Sequence, residues 1–207
     1  MNTWHSGSKI SNGIQLITDL IISTQASIVL LSEATEATTA VAAELVRRGR
    51  EFNAIPSHDT GILSVFPVED SADLQWMVKA RLNIGGKRLT VYSAHLEYRW
   101  YASNLPRGYG PGAPAPGEFA EHEWNKLPEG PVTDPAVIGR INAASGRPEV
   151  ISNFLADAKA EIADGSSVIM GGDLNEPSLL DWNNFLASPA QWGSDHKGIF
   201  ATYQLTE

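Results

Sequence analysis

Apolar residues along this chain recur at two spacings and in short runs, and each pattern predicts a different element. Ile10, Ile14, Ile17 and Ile21 sit at helical spacing and predict an amphipathic helix. Ser27 to Leu31 is a short apolar run, the mark of a buried strand, and it delivers Ser32 and Glu33 at its end. Thr35 is placed to cap a second helix that runs through Arg48 and stops at Gly49. Thr60 to Val65 predicts another strand, closed by Pro67. Leu74, Trp76, Val78, Ala80 and Leu82 alternate with mostly polar residues, which predicts a half-buried strand. Gly85-Gly86 then supplies a tight hairpin turn, and the return strand from Arg88 to about Ala94 presents His95. Pro148, Ile151, Phe154, Leu155, Ala158 and Ile162, followed by Gly165, predict a third helix. A final alternating strand is expected over Ile199, Ala201, Tyr203 and Leu205.

One stretch breaks the pattern. Leu105 to about Gly146 is rich in proline and glycine and has no sustained periodicity. A loop that long in a compact domain usually means a lid, a binding loop or mobility. With its approach it carries Trp100, Tyr101, Tyr109, Phe119 and Trp124 together with Arg99, Arg107, Arg140 and Arg147. Arginine forks grip phosphate and aromatics stack, so Arg99, Tyr101 and Arg107 are candidate substrate contacts. The same aromatics could equally pin an irregular loop to the body.

The 207 residues are expected to form a single domain over 1–207, with this loop at about 99–147. The absence of cysteine rules out disulfides and thiolate sites. No apolar run reaches the length of a membrane span, and Met-Asn-Thr-Trp-His shows neither region of a signal peptide. A soluble monomer is therefore expected, cytoplasmic or, if processed, secreted. The net charge of −9 repels polyphosphate and disfavours long-range steering of nucleic acid. Acids lining a cation site would reverse that sign locally.

The densest chemistry lies in Ser167-Val-Ile-Met-Gly-Gly-Asp-Leu-Asn-Glu-Pro177, read as a buried strand running into a glycine-permitted turn. In an extended backbone Asp173 and Asn175 would point the same way, a carboxylate for metal or proton transfer beside an amide that can hold an oxyanion. An Asx turn capping a helix opened by Pro177 reads the same letters differently. Asn2, Glu33 and His95 stand at other predicted strand ends, and Asp195-His196 precedes the last strand. Their conjunction carries more weight than any member alone.

Asn2-Thr-Trp4, Leu31-Ser-Glu33, Ser93-Ala-His-Leu96, Gly171-Gly-Asp-Leu-Asn-Glu-Pro177 and Ser194-Asp-His196 occur in the order of the endonuclease/exonuclease/phosphatase (DNase I-like) superfamily, which the chain resembles over nearly its whole length. Thr60-Gly-Ile-Leu-Ser64 also looks like its third strand. The resemblance implies an α/β fold, a four-layer α/β/β/α sandwich of two mixed sheets. It implies Glu33 as the principal Mg²⁺ ligand, with Asn2 and Asp195, and Mn²⁺ as a substitute. Asp173 would position or deprotonate water, Asn175 would hold a phosphoryl oxygen, His196 would act as base or donor, and His95 would serve near the leaving group. The chain departs from the pattern between Glu176 and Ser194, where the segment carrying a histidine-orienting aspartate is missing and with it a strand near the C-terminus.

The function expected is a metal-dependent phosphoesterase that cleaves a phosphodiester or phosphomonoester by in-line attack of water. A small or lipid-derived phosphate is favoured over nucleic acid. A DNA or RNA nuclease is the alternative, and an inactive binding module on the same fold is the alternative from another class.

Overall fold

The computed structural model describes residues 1–112 and 118–175. In chain order it contains α1 (Gly13–Thr24), β1 (Ile28–Ser32), α2 (Ala37–Arg47), β2 (Asn53–Pro56), β3 (Thr60–Ser64), β4 (Val68–Leu74), β5 (Met77–Ile84), β6 (Lys87–His95), α3 (Pro135–Ala143), α4 (Arg147–Ala163) and β7 (Ser167–Asp173). Short 3-10 turns lie at Ala102–Arg107 and Ala120–His122. The described residues gather into two compact units, Met1–His95 with Asn153–Leu174, and Leu96–Ser152 with Asn175.

The first unit is built on two sheets. One is antiparallel in the order β1-β3-β2, and the other is mixed in the order β4-β5-β6-β7, with β7 parallel to β6. Their facing sides bury Ile55 and Ile62 from one sheet against Val78, Ala80, Leu82, Leu89 and Val91 from the other. Outside the first sheet, Ile17 and Ile21 of α1 and Val41 and Leu45 of α2 close a second apolar layer over Val29, Leu31 and Leu63. Gly61 makes that contact close, because a Cβ there would sit 1.9 Å from Thr38 Oγ1 of α2.

The opposite face of the second sheet is covered differently. From Asn153 onward α4 meets it through charge. Lys79 Nζ donates to Asp157 and Glu161, and Arg81 donates to both Glu161 oxygens. The Thr90 and Tyr92 hydroxyls donate to Glu161 and Asp157, and Phe154 packs edge-on against Tyr92 at 4.9 Å. Arg81, helped by Lys79, holds the Glu161 carboxyl down at about 2, well below the ordinary carboxylate range. The layer order is thus helix, sheet, sheet, helix, as the sandwich expectation has it.

Several expectations are corrected in detail. The alternating run from Leu74 to Leu82 is not one strand: Leu74 ends β4, Trp76 turns the chain with φ of 59°, and Met77 begins β5. Alternation passes through that turn because Leu74 and Met77 face each other across it. The face of α4 is also turned from the one predicted, with Leu155 and Ile162 exposed at 48% and 58% while Glu161 is buried. Between 105 and 146 the chain is not structureless. Asp134 accepts the Ala136 N–H and, with Pro135 next, starts α3, whose Ile138 and Ile141 pack with Trp100, Leu105 and Leu127 in the core of the second unit. The hairpin holds as predicted, with Gly85 and Gly86 both at positive φ between Ile84 and Lys87. The strand expected at Ile199–Leu205 lies outside the described residues.

Candidate active site

Three strands of the first unit end beside one another, and each ends on a polar side chain. The parallel register of β6 and β7 sets His95 opposite Asp173. Gly172 permits this, since its φ is 131° and a Cβ there would lie 2.0 Å from the Ala94 carbonyl oxygen. On the other sheet β1 ends at Ser32, just before Glu33, and Asn2 forms an isolated parallel bridge to Ser32. Ser32 joins the two sheets: its buried hydroxyl donates to the Ala94 carbonyl at 2.9 Å and accepts the Asp173 N–H at 3.0 Å.

Around that joint the Asn2 amide donates to Glu33 Oε1 at 2.8 Å and to Asp173 Oδ2 at 2.9 Å. Its oxygen accepts the Trp4 N–H at 2.8 Å, which fixes the amide with nitrogen toward the acids. Glu33 Oε2 accepts the His5 N–H at 2.7 Å. His95 Nε2 stands 4.0 Å from Asp173 Oδ2, and its Nδ1 is hydrogen-bonded to Asp59. Burial disfavours a charged imidazole here, but Asp59, with Asp173 and Glu33, outweighs it, so His95 titrates above its ordinary value. The Asp59 bond places the proton on Nδ1 of the neutral ring and turns Nε2 toward Asp173.

Asn2, Glu33, His95 and Asp173 are therefore brought together where these strands end. Asp59 is a partner that sequence reading missed; the available signal was an acid directly before the β3 run, at the edge where β1 delivers Glu33. The second unit holds the other described candidates. Asn175 has a left-handed φ of 48°, not an extended one, and its amide donates to the Leu96 carbonyl at 2.7 Å. Arg99 grips Glu97 through two bonds, at 2.8 and 2.5 Å. Tyr101 donates its N–H to the Pro111 carbonyl, and Arg107 is exposed at the end of its 3-10 turn. Arg140 pairs with Glu118, and buried Arg147 donates to the carbonyls of Glu97 and Trp100. Asp195 and His196 lie outside the described residues.

The fold is similar to that of known structures. A D. rerio TDP2 humanized by 14 mutations is similar with a TM-score of 0.50 at 14% identity, over 87% of this chain and 67% of that one. The fold is the DNase I-like sandwich. TDP2 from C. elegans is similar to the sandwich with a TM-score of 0.48 and 15% identity, over 79% of this chain and 42% of that one. Sphingomyelinase C from Streptomyces griseocarneus gives 0.45 and 18%, over 94% and 69%. The chain thus spans 42 to 67% of the length of these two TDP2 structures. No family model and no curated protein matches it.

A carboxylate has about four lone-pair directions. Glu33 uses one for Asn2 and one for His5, which leaves room for a cation. Oxygen donors without sulfur suit a hard ion such as Mg²⁺ or Mn²⁺. Among the described residues, no group of three or more His, Cys, Asp or Glu could hold a metal ion by itself. An ion here would take further ligands from water, substrate or residues beyond those described. No helix among the described residues is long and apolar enough to cross a membrane.

Proposed function

We propose that this chain is a divalent-metal-dependent phosphoesterase that cleaves a phosphodiester or phosphomonoester by in-line attack of water. The observation that carries this reading is the single Asn2 amide tying Glu33 to Asp173, with Asp173 4.0 Å from an aspartate-oriented histidine. Glu33 would hold Mg²⁺ or Mn²⁺, joined by Asp195 and by Asn2 if its amide turns. When bound, the ion supplies positive charge for the phosphoryl oxygens. Asp173, held by the Ser32 hydroxyl and the Asn2 amide, receives a proton from the attacking water. His95, kept protonated toward neutral pH by Asp59, donates near the leaving oxygen. Asn175 is assigned to a phosphoryl oxygen and His196 to proton transfer, both by resemblance.

The substrate class proposed is a small or lipid-derived phosphate ester. The net charge of −9 disfavours a polyanion, and Arg99, Arg140 and Arg147 are engaged within their own unit. Nuclease activity is the second reading, favoured by Tyr98, Tyr109 and Trp124, which are 55%, 44% and 46% exposed and available to stack on bases. Assays of bis(p-nitrophenyl) phosphate, phospholipid vesicles and plasmid DNA, each with Mg²⁺ and with chelator, decide among these. Chelator-sensitive turnover of the small or lipid ester is expected. Turnover of plasmid alone would make the nuclease reading the main one, and metal uptake without any turnover would leave a binding module.

A further inference from the structure

The segment after Asn2 has a backbone that its residue types do not favour. Trp4, His5 and Ser6 have φ of 49°, 53° and 58°, and Gly7 follows at 73°, so the chain makes a full left-handed turn with three side chains in it. Residues other than glycine visit this region rarely and singly. Such strain persists only where the surroundings impose it. Here the surroundings are Glu33, itself left-handed with φ of 53°.

The bonds between the two are dense. The Glu33 carbonyl accepts the Ser6 N–H at 2.7 Å, the Thr3 hydroxyl at 2.7 Å and the Ser6 hydroxyl at 3.3 Å. Its carboxylate accepts the His5 N–H, while the Trp4 N–H fixes the Asn2 amide that bonds the other carboxylate oxygen. The turn is closed by the Gly7 N–H to the Thr3 carbonyl and seated against the start of α1, where a Cβ on Gly13 would lie 2.1 Å from the Gly7 oxygen. The Glu36 N–H bonds Ser6 Oγ and continues the attachment into the approach to α2. Thr3 is buried at 4% exposure.

We propose that Thr3 and the left-handed turn Trp4–Gly7 form a positioning clamp that holds the Glu33 carboxylate in the geometry needed to bind a divalent cation. This rests on the phosphoesterase reading above. Thr3 and Ser6 are positioning residues: they act through Glu33 and Asn2 and do not touch substrate. Two strained segments facing each other explain why neither relaxes, since releasing one would remove the acceptors or donors of the other.

The test is Mn²⁺ uptake by the full chain, followed as loss of free-ion paramagnetic resonance, so that it needs no turnover. Wild type, Glu33→Gln, Thr3→Val, Thr3→Ser and Ser6→Ala are compared, with melting curves alongside. Glu33→Gln is expected to abolish uptake. Thr3→Val keeps the shape, loses the hydroxyl and should weaken binding by about tenfold, Ser6→Ala by about threefold, and Thr3→Ser should stay within about twofold of wild type. Should Thr3→Val fail to fold, Ser6→Ala against Thr3→Ser carries the same comparison. Wild-type affinity in both Thr3→Val and Ser6→Ala overturns the clamp alone, as does equal weakening in Thr3→Val and Thr3→Ser. A wild-type chain that takes up no Mn²⁺ overturns the metal reading and the clamp with it.

Discussion

Two polar clusters flank strand β6, and they are built on opposite principles. On the outer face of its sheet Lys79, Arg81, Asp157 and Glu161 form a partly buried layer in which each acid meets at least one cation. At its end Glu33, Asp59 and Asp173 gather around one histidine and one neutral amide, with three acids to one imidazole and no lysine or arginine in these contacts. The first cluster is satisfied and fastens α4. The second keeps spare lone-pair directions on Glu33 and an imidazole that can change charge. Both clusters are rich in acids, and what sets them apart is the partner: lysine and arginine in the first, a histidine and an amide in the second.

The largest effect that would separate them is catalytic. Asp173→Ala should lower phosphoester turnover by about 10³-fold, within the range for loss of a positioned base, while the melting temperature stays within a few degrees. A collapse of the fold in circular dichroism would make the second cluster structural as well, and the contrast would be lost. Glu161→Ala should do the reverse. It leaves Lys79 and Arg81 without their shared acid and should cost about 3–5 kcal/mol in urea unfolding, with turnover per folded molecule unchanged. Because the folded value of Glu161 is depressed to about 2 from 4.5, its contribution is complete above 4.5 and is lost as pH falls toward 2. The gap between variant and wild type should therefore close in acid.

Asp59→Asn is intermediate. Turnover should fall about tenfold, and the His95 titration seen by NMR should move down. The His95 value is raised in the folded chain, so the pair stabilises fully below about 6.5 and its contribution disappears as pH climbs through the raised value. With Asp59 half exposed, the loss should be no more than about 1 kcal/mol at pH 6 and smaller at pH 9. The smallest effect is expected from Leu155→Ser with Ile162→Ser, within about 0.5 kcal/mol, since both are exposed. A large loss there would mean that α4 is held by its apolar stripe after all.

The same contrast explains what could be read from the letters. The layer over β1 and β3 is apolar on both sides, so Ile17 and Ile21 announced α1 by spacing, while α2 was marked by its stop at Gly49. The hairpin was legible because Gly85-Gly86 permits little else. The seat of α4 was not, since Lys79, Arg81 and Glu161 look like solvent residues until their partners, some eighty positions away, are known. β4 hides for a related reason, as Val-Glu-Asp-Ser-Ala-Asp-Leu lies at a sheet edge and is largely exposed. Of the site, Asn2, Glu33, His95 and Asp173 were visible through motif order, while Asp59 joins them only by folding across 36 residues.

Ser32 carries a consequence beyond its hydrogen bonds. It is a gauge between the layers: one hydroxyl measures the offset of two sheets and reports it to the backbone under Asp173. Slippage of the layers by a single residue would break that link and part the acid of one sheet from the acid of the other. The reactivity proposed for this molecule would thus be tied to interlayer registration, and Ser32→Ala is where sliding would first be felt.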